Sequence, residues 1–400
     1  MRALLAAAAV VALVHVLQGR QSGPLLVQGI KNLNFARRPL DAALESHGWL
    51  RPPLYPLVLW GASRAGLPPR HVNEMLFLLT LGLVAVYARR QLRGIDPLWP
   101  VLLLAVAHFN HANVYQPVAE TLFVLLLLTL VLALQGYQER AVGRCLVLST
   151  GALAGLALAR YFALVFPLPA AALNLALLPP LPWRRRLRNA AIALTVAGIP
   201  IAFWMGLAGG ATGFLTGDDR WAPRDLPAEV AHWSKDTGLA DHARLTAKTL
   251  VIDFFCPRQH AGLAVVTRPH PQGRVEWAGL VLVLAAGVVL ALQLGQGALP
   301  RTALDRVAVA RSGGALLVEL VVFFYATTLA VWTFANNDPI HTRFLYPSYA
   351  LLVLLGFHAY AWVMARAREP ACAVPFVGLY LLVGAVQLWR SVQAAPLPIR

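Results

Sequence analysis

Four groups of polar side chains stand out against an otherwise apolar chain. Asp41, Glu45, His47 and Arg51 fall in one polar stretch. Glu120 follows Tyr115-Gln116-Pro117 at the head of a leucine-rich run, and Arg160-Tyr161 closes a run rich in glycine and alanine. The segment Asn336-Asn337-Asp338-Pro339-Ile340-His341-Thr342-Arg343 precedes a further apolar run. Such residues have a joint use in chemistry. Cations from separate helices hold a phosphate through charge-assisted hydrogen bonds, while a carboxylate accepts the proton of a hydroxyl nucleophile. A plainer use competes with it, because interfacial Arg and His snorkel to headgroups and a Glu at a helix end pairs with a neighbouring Arg.

The elements that must position these groups are apolar helices. Of the 400 residues 58% are hydrophobic and only 13% charged, and the mean hydropathy is +0.62. That balance excludes an ordinary soluble enzyme and predicts an all-α polytopic transmembrane bundle, a single transmembrane domain over residues 1–400. The net charge of +16 comes from Arg clusters between apolar runs. Those clusters read as topology signals and not as a nucleic-acid surface, so no nucleic-acid partner is expected. Residues 2–18 form an apolar run after one Arg, with no small-x-small cleavage site, and are expected to be a retained first span.

Placing Arg89-Arg90 with Arg93, Arg140 with Arg144, Arg184-Arg185-Arg186 with Arg188, Arg301 with Arg306 and Arg311, and Arg366 with Arg368 on the cytoplasmic side predicts about eleven spans. They fall at 2–18, 72–89, 97–114, 117–136, 143–159, 161–179, 189–208, 276–295, 313–334, 344–365 and 371–389. Residues 52–66 are apolar but short. Counting them as a crossing would invert every later Arg cluster, so they are expected to form a re-entrant or juxtamembrane helix. The outer face then carries two large loops, 19–71 and 209–275, and all four polar groups fall on that side. No internal repeat is visible.

The motifs resemble a family at this point. Arg51-Pro52-Pro53-Leu54-Tyr55-Pro56-Leu57, then Ala119-Glu120-Thr121-Leu122-Phe123 opening a Leu-rich helix, then the Gly-Ala-rich helix from Gly151 to Tyr161, then Arg343-Phe344-Leu345-Tyr346-Pro347, are similar in order and spacing to the GT-C superfamily of membrane glycosyltransferases. The protein mannosyltransferases and the aminoarabinose transferases of lipid A are the relatives it most resembles. The resemblance covers nearly the whole chain. It implies transfer of a sugar from a polyprenyl-phosphate donor to an acceptor lipid, glycan or protein outside the cytoplasm, in one inverting displacement. Membrane lipid is then a partner, the prenyl-phosphate sugar is the donor, and whether a divalent metal assists stays open. The Ala-Leu-Arg-rich composition suits a bacterial inner membrane, with the site facing the periplasm or exterior.

The resemblance also implies an acidic base in the first outer loop, well before the Pro-Pro-Leu-Tyr element. Here residues 19–38 contain no carboxylate, and the first acids are Asp41 and Glu45. Asp41 is the candidate base and Glu120 the next. Arg343 and Arg160 are candidates for the donor phosphate, and His341 is a further donor or proton relay. Glu45, His47, Arg51, Tyr55 and Tyr161 are candidate substrate contacts.

No metal ligand set is expected. Asp218-Asp219 reads as a solvated pair, and His260, His270 and Cys256 lack ligand spacing. Cys145, Cys256 and Cys372 read as packing residues. Two other functions stay open. A lipid-binding relative without chemistry would keep the Arg residues and ignore the acids. A transporter or flippase would use Glu319, deep in a late span, and two related halves.

Overall fold

The computed structural model describes residues 2–18, 52–92, 94–106, 114, 118–164, 166–177, 181–212, 313–335 and 342–366. These residues contain ten α-helices, one 3-10 turn and no strand. The helices are α1 (Arg2–Gln18), α2 (Leu54–Arg64), α3 (Pro69–Gln91), α4 (Leu98–Val106), α5 (Glu120–Arg140) and α6 (Gly143–Ala159). The 3-10 turn Tyr161–Leu164 follows, then α7 (Pro167–Leu177), α8 (Trp183–Thr212), α9 (Gly313–Ala335) and α10 (Thr342–Arg366). Three stretches are long and apolar enough to cross a membrane by length and composition: α3, α5 and Trp183–Trp204 of α8. Shorter apolar stretches lie in α1, α6, α9 and α10.

α5 is the central helix. It is apolar around its whole circumference, and such a helix must be enclosed by others. It packs against α3, α6, α7, α9 and α10, and Phe123, Leu127, Leu130, Val131 and Leu134 are buried there. α6 returns antiparallel to α5 after a turn at Ala141-Val142. Two glycines allow their close approach. A Cβ on Gly136 would lie 3.0 Å from Cys145 Sγ, and one on Gly155 would lie 3.2 Å from both Leu126 methyls and 3.7 Å from a Leu54 methyl. Gly155→Val therefore pushes α6 away from both α2 and α5. We expect it to destabilise the protein by about 1–3 kcal/mol, read as a lower midpoint in a detergent thermal melt, whereas Gly151→Ala, with nothing within 4 Å of its Cβ position, leaves the midpoint unchanged.

α2 has 11 residues, roughly 16 Å at 1.5 Å per residue, which is about half a bilayer core. It packs on α3 and α6 and joins α3 through a turn in which Gly66 takes φ +72°, a conformation costly for residues with a side chain. The expectation of a short helix over residues 52–66 is met.

Two expected spans differ from what is seen. Residues 161–179 are not one helix: the 3-10 turn Tyr161–Leu164 comes first, and α7 begins only at Pro167. Proline lacks an N–H and disfavours helix in the residue before it, but suits the first helical position. α8 begins at Trp183, six residues before the expected start at 189, and takes in Arg184, Arg185, Arg186 and Arg188. Arg is a good helix former, and its long stem lets the charge reach water from an apolar helix end. The expected spans 276–295 and 371–389, and nearly all of the two outer loops 19–71 and 209–275 apart from α2 and the start of α3, lie outside the described residues.

The helix polarities give the bundle two chemically different ends. α1 ends where α3 begins, since His15 meets Glu74. α5 begins where α6 ends, since Arg160 meets Glu120. Tyr87 and His358, both late in their helices, share a hydrogen bond of 2.6 Å, which makes α3 and α10 parallel. The start of α10, with Arg343, therefore belongs to the end where α3 begins. The opposite end carries the exposed basic residues Arg89, Arg90, Arg140, Arg144, Arg184 and Arg185.

Candidate functional site

The non-basic end gathers all four motif elements read in the sequence, the fourth being the start of α10. α6 stops at Ala159, and Arg160 is extended, with φ −155° and ψ 130°. Leaving the helix there, Arg160 donates from Nη1 to Glu120 Oε1 at 3.0 Å. Glu120 is the first residue of α5, where the helix dipole favours a negative charge. Its side chain is 4% exposed and that of Arg160 is 18% exposed, so the pair is largely removed from water.

Tyr55, in the first turn of α2, is fully buried and donates its hydroxyl to Asn73 Oδ1 at 2.9 Å. Burial pushes the Tyr55 hydroxyl far above its ordinary range; the Asn73 hydrogen bond opposes the rise and the Glu120 charge adds to it. Tyr55 is therefore a fixed donor and not a base. α2 packs on α6, with a Leu54 methyl 3.7 Å from the Gly155 Cβ position, which brings the Pro-Pro-Leu-Tyr element to the helix that ends at Arg160. Tyr55→Phe leaves Asn73 Oδ1 without this donor, and we expect a stability loss of about 1–3 kcal/mol, read as a lower midpoint than the wild type in a detergent thermal melt.

A second cluster adjoins the first along α3. Asn73 serves Tyr55, and the next residue, Glu74, faces α1. Its Oε1 is hydrogen-bonded to His15 Nδ1 and accepts from Arg70 Nε at 3.1 Å, while its Oε2 lies 2.9 Å from His71 Nδ1. Arg70 Nη2 also donates to the His15 carbonyl at 3.0 Å, tying the last turn of α1 to α3. The His15 and His71 rings are stacked, with centroids 5.4 Å apart and planes at 22°. Among the described residues, His15, His71 and Glu74 are the group of three side chains able to converge on one metal ion.

The basic end has its own buried polar set. Asn174 Nδ2 donates to Glu319 Oε2 at 2.6 Å and to the Ala170 carbonyl at 2.9 Å, and its Oδ1 accepts from Gln138 Nε2. Asn189 Nδ2 donates to the Tyr137 hydroxyl at 2.7 Å. Glu319 thus holds α9 to α7 and α5. Its Oε1 is buried with no hydrogen-bond partner among the described residues.

Of the residues named from sequence, Glu120 and Arg160 are brought into contact, and Tyr55 is bonded to Asn73 on the neighbouring helix. Arg343 lies in the first turn of α10 and Tyr161 in the 3-10 turn beside Arg160, and these two are described by their backbone only. Asp41, Glu45, His47, Arg51 and His341 lie outside the described residues, as do Asp218, Asp219, His260, His270 and Cys256. Cys145 is a free thiol in the α5–α6 packing, as its reading as a packing residue implied. Sequence reasoning missed Asn73 and the His15–His71–Glu74 group. A signal for the latter existed in the polar residues His71 and Glu74 at (i, i+3) spacing on the first turn of an apolar helix. Nothing in the sequence ties them to the lone His15. No protein-family model and no curated protein matches this chain.

Proposed function

We propose that the chain is a polytopic membrane glycosyltransferase of the GT-C kind, with about eleven spans. It would move a sugar from a polyprenyl-phosphate donor to an acceptor on the non-cytoplasmic side of a bacterial inner membrane. The supporting observation is the contact of Glu120 with Arg160 between α5 and α6, with the Tyr55-bearing helix α2 packed on α6, at the end of the bundle opposite the basic clusters. The positive-inside bias makes that end the non-cytoplasmic one. Motifs separated by long stretches of chain come to that one end, which supports the GT-C reading.

In this reading the acceptor hydroxyl oxygen attacks the anomeric carbon and its proton passes to the Asp41 carboxylate. The bond from that carbon to the phosphate oxygen breaks, and polyprenyl phosphate leaves with the electron pair. Arg160, steadied by Glu120, and Arg343 stabilise the charge that develops on the leaving phosphate. The prenyl tail, lying along apolar helices, supplies the binding energy that aligns donor and acceptor. Glu120, already bound to Arg160, positions that cation, which leaves the role of base to Asp41.

The test is transfer from a radiolabelled polyprenyl-phosphate-sugar pool by the purified protein in liposomes. Transfer to lipid or peptide acceptors is expected. Saturable binding of polyprenyl phosphate that needs Arg160 and Arg343, with no transfer from any donor, would instead identify a lipid-binding protein without the chemistry. Glu319 favours a transport reading on one observation, its burial with an oxygen that has no hydrogen-bond partner among the described residues. It lies at the basic end, bonded to Asn174, and Glu319→Gln is expected to leave transfer intact.

A further inference from the structure

We infer that His15, His71 and Glu74 form a binding site for one divalent transition-metal ion of the zinc class, joining the end of α1 to the start of α3. The inference does not depend on the proposed sugar transfer. Each residue offers one ligand atom, and these atoms all lie within 4.8 Å of one another. Zinc takes nitrogen at ~2.0–2.1 Å and carboxylate oxygen at ~2.0–2.2 Å, so small side-chain rotations bring all three atoms onto one centre. Two imidazoles on one tetrahedral ion place their ring centroids roughly 5 Å apart by the same bond lengths, and here the separation is 5.4 Å.

The donor set selects the ion. Two nitrogens and one carboxylate oxygen suit zinc and its transition-metal neighbours, whereas calcium and magnesium want mostly oxygen. Both histidines present Nδ1 to the same carboxylate. As ligands they would carry their proton on Nε2 and offer the Nδ1 lone pair to the ion. Arg70 completes the arrangement. Its Nε holds Glu74 Oε1 and its Nη2 holds the His15 carbonyl, the kind of outer contact that orients a ligating carboxylate. Its positive charge opposes a dication, and the ligand bonds must outweigh that repulsion.

Access and rigidity fit a bound ion. The His71 side chain is 46% exposed and that of His15 is 35% exposed, which leaves a route from solvent, whereas Glu74 at 10% is anchored in the bundle. Three protein ligands leave a fourth position for water or an anionic ligand oxygen. The site lies one residue along α3 from Asn73, the partner of Tyr55, so an ion there would tie α1 to the helix that supports the Tyr55 cluster.

The test uses the full-length protein purified in detergent, stripped with a chelator, desalted and titrated with Zn2+. Bound metal is counted by elemental analysis and stability is followed by thermal melting. One equivalent of Zn2+ and a higher melting midpoint are expected for the wild type. His71→Gln, a conservative change at an exposed position, should weaken Zn2+ binding by more than the roughly 10–100-fold that loss of one orienting contact costs, and abolish the zinc-dependent rise in midpoint without changing the elution volume. Co2+ should give the visible spectrum of a tetrahedral N/O site in the wild type and not in His71→Gln. Stoichiometric zinc retained equally by His71→Gln and His15→Gln, or no tight zinc in the folded wild type, overturns the proposal and leaves these residues a hydrogen-bonded clamp between two helices.

Discussion

Arg160→Ala is expected to cost about 3–5 kcal/mol of stability, because it leaves the Glu120 carboxylate in its buried position without the cation that compensates it. The geometry sets this size. Nη1 of Arg160 donates to Oε1 of Glu120 at 3.0 Å, and the carboxylate side chain is only 4% exposed, so water cannot replace the lost partner. Replacing both members by apolar residues of similar volume, as in Glu120→Leu/Arg160→Met, removes the buried charge as well as its partner. Thermal melts of the two single variants and the double variant in detergent should therefore show most of the loss recovered in the double. Sugar transfer separates structure from chemistry. If Arg160 steadies the leaving phosphate, the double variant melts like the wild type yet transfers sugar at least 10²-fold more slowly, the scale of removing one charge-stabilising donor. A double variant that is both stable and active would reduce the pair to a helix fastener.

If Asp41 is the base of the proposed sugar transfer, Asp41→Asn lowers transfer by roughly 10²–10⁴-fold while leaving the melting midpoint and binding of polyprenyl phosphate unchanged, since general-base catalysis contributes on that scale. Asn has nearly the shape of Asp but cannot take the hydroxyl proton. Glu120→Gln is the informative companion. Glu120 accepts from Arg160 and is enclosed by α5 and its neighbours, so its substitution should show first as lower stability and weaker phosphate binding, a KM effect more than a kcat effect. The opposite pattern, a large kcat loss in Glu120→Gln and none in Asp41→Asn, would move the base from the first loop to the head of α5.

The two variant sets sample different routes by which a polar residue serves a membrane-embedded site. A base must reach the acceptor hydroxyl, to about 2.6–3.2 Å, and gains from standing on a loop at the water-facing end. A phosphate-holding cation gains from a fixed partner, because a positioned guanidinium loses less freedom when the ligand arrives. Arg160, fixed by Glu120, fits the second pattern, and Tyr55 and Asn73 serve the scaffold beside it. Both are buried, and both tie the short helix α2 to α3.

Much of the architecture was legible in the order of residue types. α1, α6 and α9 begin and end within a residue of the spans read from hydropathy, and α2 is the short helix that charge bookkeeping demanded. An apolar run bounded by Arg clusters can satisfy its backbone only as a helix and can put its charges only at its ends, so local composition suffices. The same logic picked out Glu120 and Arg160 as exceptions within apolar surroundings. It could not show that they meet, because their 40-residue separation in sequence is closed only by the antiparallel return of α6 along α5. The break at Pro167, where one continuous span was expected, came from two prolines whose effect on a helix depends on position.

By itself, then, the sequence determined that the described residues are helical and apolar, where helices such as α1, α6 and α9 begin and end, and that the charges divide between a basic end and a polar one. Only the tertiary structure decided which polar residues become partners: Tyr55 with Asn73, Arg160 with Glu120, Asn174 with Glu319, and His15 with His71 across Glu74. The physical reason is one of range. Hydropathy and helix periodicity act between neighbours in the chain, whereas a hydrogen bond between two helices depends on their packing register, which the shapes of side chains such as Gly155 and Leu126 settle jointly.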